Sequence, residues 1–133
     1  MFKFGNKSLR MLSSVDQDLQ TVMKQAISIS PIDFGITEGM RSPERARQLM
    51  AEGKSKVGEK SKHCKGEAVD IVCYNEGKVT WELEYYEIVA GVVGEVSHLI
   101  DVKIRWGGNW KTGEFELNRD LDFIDAVHFE IIK

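Results

Sequence analysis

Val15, Leu19, Val22, Met23, Ala26 and Ile27 recur at the spacing of one helical face, which predicts a helix over 15–29. Ser14 and Gln17 read as a capping box at its start, and Ser30-Pro31 ends it. Ile32, Phe34 and Ile36 then alternate with Asp33, Gly35 and Thr37, the period of a strand. Gly39-Met40-Arg41 turns out of it, and Ser42-Pro43 reads as cap and first residue of a second helix. That helix carries Ala46, Leu49 and Met50 on one face and stops near Gly53. Residues 54–62 are lysine-rich and read as a loop. Residues 67–74 read as the next strand, closed by the turn Asn75-Glu76-Gly77. Thr80 is placed to cap a third helix whose stripe is Val89, Val92, Val96 and Leu99. Val102, Ile104 and Trp106 suggest a strand ending at Gly107-Gly108. A last strand is expected over 126–132, with Val127, Phe129 and Ile131 on one side and His128, Glu130 and Ile132 on the other. Helices and strands mixed with short connections predict an α+β fold: a single domain, residues 1–133, with a central antiparallel sheet and flanking helices.

Composition narrows the function classes. A chain of 133 residues with 42% hydrophobic and 29% charged positions is long enough for one core and too apolar to be a disordered tail. A net charge of -3 argues against a nucleic-acid partner, which usually demands a basic excess. No apolar stretch approaches the roughly 20 residues of a membrane span. The first ten residues lack the apolar core of a secretory signal, so synthesis in the cytoplasm without a signal peptide is expected. Cys64 and Cys73 are expected as free thiols.

Chemistry concentrates around two of the three histidines. His98 falls inside the third helix pattern and reads as a solvent-facing or packing residue. His63 lies seven residues before Asp70, and His128 lies three residues after Asp125. Asp70 sits within the apolar run Ala68-Val69-Asp70-Ile71-Val72, where a buried charge is expensive unless a cation or hydrogen bonds meet it. Two imidazoles and a carboxylate are the donor set of a hydrolytic zinc site with one open position. The same set also serves non-haem iron, although those oxygenases usually bring the first histidine and the carboxylate much closer in sequence. A zinc reading requires the last strand to lie beside 67–74.

The stretch Ser61-Lys62-His63-Cys64-Lys65-Gly66-Glu67-Ala68-Val69-Asp70 resembles the Ser-x-His-x-x-Gly-x-Ala-x-Asp signature of a zinc peptidase family. The family comprises D-alanyl-D-alanine carboxypeptidases, D-Ala-D-Ala dipeptidases and L-alanyl-D-glutamate endopeptidases of bacterial peptidoglycan. Asp125-Ala126-Val127-His128 resembles its acid-x-x-His element, Gly39-Met40-Arg41-Ser42 its upstream arginine element, and Arg105-Trp106-Gly107-Gly108-Asn109-Trp110 its Trp-Gly-Gly segment, with Asn109 where Asp is common. The short chain is most similar to single-domain bacteriophage endolysins that cut the L-Ala–D-Glu bond. The resemblance implies the D-Ala-D-Ala carboxypeptidase (hedgehog-like) fold and Zn2+ on His63, Asp70 and His128. It further implies Asp125 as the base that takes a proton from water and returns it to the leaving amine. Arg41 would stabilise the oxyanion or hold a substrate carboxylate, and Ser61 would hydrogen-bond in the site or to the peptide. The implied partner is a bacterial peptidoglycan peptide, met at the cell wall by a monomer that neither inserts stably in membranes nor binds nucleic acid.

Plainer readings stand beside these. Arg41 also suits a surface ion pair, Ser61 a loop-ordering role, and Trp106 and Trp110 either a substrate groove or core packing. Glu130 shares a face with His128 and is expected to support an imidazole or the fold. Lys54, Lys56, Lys60, Lys62 and Lys65 suit either attraction to anionic wall polymer or a solvated loop. Glu114, Glu116, Asp120, Asp122 and Asp125 suit a solvated loop, with a calcium site as the bolder alternative. The competing functions are a D-Ala-D-Ala carboxypeptidase or dipeptidase, and a non-catalytic zinc-stabilised binding module.

Overall fold

Strand alternation divides the sheet into an apolar face and a polar face, and this division places the site. In the computed structural model, which describes residues 1–54, 61–109 and 125–133, the elements run α1 (Asn6–Leu12), α2 (Gln17–Ile29), β1 (Asp33–Glu38), α3 (Pro43–Ala51), β2 (Ala68–Asn75), β3 (Lys78–Thr80), α4 (Leu83–Leu99), β4 (Ile104–Trp106) and β5 (His128–Ile131). The sheet order is β1-β2-β5-β4, with β3 hairpinned onto β2, and every pairing is antiparallel. This is the α+β architecture expected from the pattern, and β5 does lie beside β2.

Val69, Ile71 and Cys73 of β2 point into the core, as do Phe34 and Ile36 of β1, Ile104 and Trp106 of β4, and Phe129 and Ile131 of β5. They meet Leu19, Val22, Met23, Ala26 and Ile27 of α2 and Tyr86, Val89, Ala90, Val93 and Val96 of α4. Burying these side chains is what holds the sheet against its helices, at roughly 1.5–3 kcal/mol for each fully buried large one. Registers across the sheet set the residues of the opposite face: Asp70 faces His128, Ala68 faces Glu130, and Arg105 faces Glu130. Among the described residues no helix is long and apolar enough to cross a membrane.

Several local expectations are corrected. Helix α2 is capped by Asp16, whose side chain accepts from the Asp18 amide, not by Ser14. Ser14 is instead drawn into tertiary bonding, accepting from the Met40 amide at 2.8 Å. Thr80 ends β3, and α4 starts after Glu82 with no side-chain cap. The buried stripe of α4 runs through Tyr86, Val89, Ala90, Val93 and Val96, and Leu99 in the last turn is exposed. Met50 is likewise exposed, leaving Ala46 and Leu49 to bury α3. Helix α1 and strand β3 carry too few periodic positions to have been anticipated. Ser42 caps α3 as expected, accepting from the Arg45 amide, and the turn into β3 uses Glu76 and Gly77 at positive φ (51° and 80°).

Candidate metal centre

The His63 segment is a short 3-10 turn, Lys62–Lys65, built by local capping. Ser61 Oγ accepts from the His63 amide at 3.2 Å, and Gly66 closes the turn at φ 69°, where a side chain would be strained. The arginine turn is stitched onto it. The Arg41 amide donates to the His63 carbonyl at 2.9 Å, and His63 Nδ1–H donates to the Gly39 carbonyl, also at 2.9 Å. Gly39 has to be glycine here, since a Cβ would collide with the Met11 carbonyl and Ser14 Oγ.

With Nδ1 committed, His63 presents Nε2 to Asp70 Oδ1 at 3.1 Å. His128, arriving on β5, presents Nδ1 to the same oxygen at 3.3 Å. The donor atoms of the three residues all lie within 4.8 Å of one another, and among the described residues this is the group of histidine and carboxylate donors arranged to hold a metal ion. The spacing fits zinc: donors about 2.0–2.1 Å from a common ion at tetrahedral angles lie about 3.3 Å apart. The chemistry fits as well. Burial opposes the Asp70 charge, but hydrogen bonds from His128 and His63 outweigh it and hold the carboxyl well below its usual range. Burial would likewise lower His128, yet Asp70 and Glu130 pull it up to about 9.

Asp125 is held by its backbone. Its amide donates to the Gly107 carbonyl at 3.1 Å, and its carbonyl accepts from the His128 amide at 3.0 Å, so one turn fixes the acid-x-x-His spacing. Gly107 permits that approach, because a Cβ there would strike the Asp125 carbonyl. Trp106 is buried in the core with its ring stacked on Phe129, and its Nε1–H donates to the Ala126 carbonyl at 2.8 Å. This segment therefore supports the turn, and Trp106 does not line a groove. The Asp125 side chain has a solvent-facing side, yet burial of the carboxyl and then the charge of Asp70 raise its pKa. His128, His63 and Arg41 act on it in the opposite direction.

Arg41 is buried and not a surface residue. Its Nε and Nη2 donate to Glu38 Oε1 at 2.5 Å and Oε2 at 2.9 Å, and Nη2 lies 3.9 Å from Asp70 Oδ2. Glu38 was invisible to the alternating pattern of β1, which would have sent it to the core face with Ile36. A bulge between Ile36 and Glu38 resets the register and sets Glu38 opposite Asp70. Its spacing of three residues before Arg41 was the available signal. Lys62 is not simply part of a solvated loop, as it pairs with Glu130 at 3.3 Å. Cys64 and Cys73 are free, and His98 is exposed. Lys56, Lys60, Trp110, Glu114, Glu116, Asp120 and Asp122 lie outside the described residues.

The chain is similar to known proteins along nearly its whole length. The model of the phage L-alanyl-D-glutamate peptidase family matches residues 1–132. An L-alanyl-D-glutamate peptidase of Escherichia phage T5 is 33% identical over 135 residues, covering 98% of each chain. The peptidoglycan L-alanyl-D-glutamate endopeptidase CwlK of Bacillus subtilis (strain 168) is 29% identical over 89% of this chain and 76% of its own. The crystal structure of the Serratia marcescens L-Ala D-Glu endopeptidase ChiX superposes with a TM-score of 0.85 at 32% identity, over 98% of this chain and 90% of that one. The match runs along nearly the whole length, in sequence and in fold: the chain belongs to the phage L-alanyl-D-glutamate peptidase family and is a hydrolytic enzyme.

Proposed function

We propose that this chain, acting as a monomer at the bacterial cell wall, hydrolyses the L-Ala–D-Glu bond of peptidoglycan stem peptides with zinc held by His63, Asp70 and His128. The observation that carries the reading is the convergence of these three donors on one face of the sheet in a chain of this family. A zinc ion there supplies Lewis-acid polarisation of the scissile carbonyl and a water that loses its proton readily.

The residues divide the remaining work. Asp125 takes the proton of the attacking water and passes it to the nitrogen of D-Glu as the C–N bond breaks, so the products are an L-Ala carboxyl and a D-Glu amine. Burial and the charge of Asp70 raise the pKa of Asp125, which makes it a stronger base toward the proton of the attacking water. Arg41 meets the developing oxyanion. Glu38 fills the Nε–Nη2 edge of its guanidinium, and the Nη1 end that remains suits a single oxygen better than the side-on fork of a carboxylate. Ser61 serves by capping the His63 turn, which keeps Nε2 aimed at the site.

Mass spectrometry of purified peptidoglycan digested with the zinc-loaded protein tests this, with a chelator-treated sample as control. New L-Ala carboxyl ends and D-Glu amino ends, lost on chelation and restored by zinc, are the expected result. Release of terminal D-Ala alone would reassign the enzyme as a carboxypeptidase, and no metal-dependent product from several wall types would favour a binding module.

A further inference from the structure

Glu130 is a buried carboxylate on the site face that neither the metal centre nor the hydrolytic chemistry uses directly. Its two oxygens are divided between two tasks. Oε1 lies 2.9 Å from His128 Nε2. Oε2 receives Arg105 Nη2 at 2.8 Å and lies 3.3 Å from Lys62 Nζ. Lys62 also donates to the Ile131 carbonyl at 2.8 Å, which ties the turn carrying His63 onto the strand carrying His128. Arg105 is the direct cross-strand neighbour of Glu130 on β4.

We propose that Glu130 is a positioning residue for the reaction: it accepts from His128 Nε2–H and so fixes the tautomer in which Nδ1 carries the lone pair facing Asp70 and the metal centre. Lys62 and Arg105 hold the carboxylate in place from the other side. This inference rests on the zinc reading of the preceding subsection. The physical basis is that a neutral imidazole has one N–H and one lone pair, so an acceptor on one nitrogen decides which nitrogen can bind a metal. A carboxylate acceptor also makes the opposite nitrogen a stronger donor. Both histidines of the site follow the same rule with different acceptors: His63 gives Nδ1–H to the Gly39 carbonyl and keeps Nε2, whereas His128 gives Nε2–H to Glu130 and keeps Nδ1. A backbone carbonyl cannot be removed by substitution, but Glu130 can.

The decisive measurement is the protonation of His128 in the zinc-loaded wild-type protein, read from long-range 1H–15N correlation spectra of the imidazoles. Nε2 protonated with Nδ1 on the metal is expected, and Nδ1 protonated would overturn the proposal, the bound zinc then being held through Nε2 of His128 or without that residue. A wild-type protein that takes up no zinc would end both readings. Chelator competition on the variants gives the second readout. Glu130→Ala should weaken zinc binding by about 10- to 100-fold. Glu130→Gln, whose amide oxygen can still accept from Nε2–H, should recover most of that loss. An unchanged affinity in Glu130→Ala, or a Gln variant as weak as the Ala variant, would show that Glu130 serves only as a cross-strand partner of Arg105.

Discussion

Asp125 enters the fold through its backbone and the proposed mechanism through its side chain, so the two roles can be separated. The turn to His128 uses the amide and carbonyl of Asp125, and Ala can supply both. Asp125→Ala should therefore keep the fold and bind zinc stoichiometrically while losing about 10²- to 10⁴-fold in cleavage rate, the usual size of a general-base contribution. Zinc content by atomic absorption beside a turnover assay checks it, and near-normal turnover would remove Asp125 from the mechanism. Glu38 makes a different case. It holds one edge of Arg41 with two charge-assisted hydrogen bonds, and Gln can keep only one acceptor there. Loss of such a bond is worth about 1.5–3 kcal/mol, so Glu38→Gln should lower kcat at least about tenfold with zinc affinity unchanged. A fall in zinc affinity without a fall in kcat would show that Glu38 acts on Asp70 and not on Arg41. The grouping of the proposed ligands was legible: His63, Asp70 and His128 converge. Their supports were not, because Glu38 and Lys62 become partners of the site only through a strand bulge and a turn docked on a distant strand.

At the scale of elements, what was legible is what is repeated. Helix α2 carries five buried positions at regular spacing, and its end was anticipated to the residue. Its start was not, because Ser14 and Asp16 are both acceptable caps and the choice fell to Met40, whose amide claims Ser14. The stripe of α4 is offset from the buried face: Glu84, Glu87, Glu95 and His98 share one side, and the face opposite them, Tyr86, Val89, Ala90, Val93 and Val96, is the buried one, with Leu99 nearer the polar side. The Trp-Gly-Gly segment shows how an element end can be dedicated to the site. Gly107 lets the chain pass against the Asp125 carbonyl, and a Cβ there meets backbone that cannot rotate away. Gly107→Ala should cost about 1–3 kcal/mol of stability, the usual range for overpacking. Because the group displaced is the turn carrying Asp125, activity should fall even at temperatures where the variant is fully folded. Denaturant unfolding together with cleavage assays separates the two effects, and a variant matching the wild type in both would mean that the turn has room to shift.

Three distant segments of the molecule meet at Asp16. Asp16 caps α2, its amide donates to the carbonyl of Gly66 at the end of the His63 turn, and its carboxylate pairs with Lys133 just beyond β5. The overall α+β plan was legible because the strands announce themselves one at a time; this junction was not, since no local pattern relates positions 16, 66 and 133. It has a definite pH signature. Lys133 first, then the Asp18 amide against some opposing burial, lowers the pKa of Asp16 in the folded state. A folded pKa below the unfolded value of about 3.9 means that the stabilisation is fully present above that value and drains away as pH falls through the folded one. Asp16→Asn retains a capping oxygen but carries no charge, so the metal-free variant should lose less stability than the wild type between about pH 4 and pH 2. Asp16→Ala, which also loses the cap, should be less stable by about 1 kcal/mol even at neutral pH. Urea unfolding of the three metal-free proteins across that range decides the matter. If the Asn variant tracks the wild type through the acid limb, the ion pair with Lys133 is solvent-screened and α2 is anchored by the cap alone.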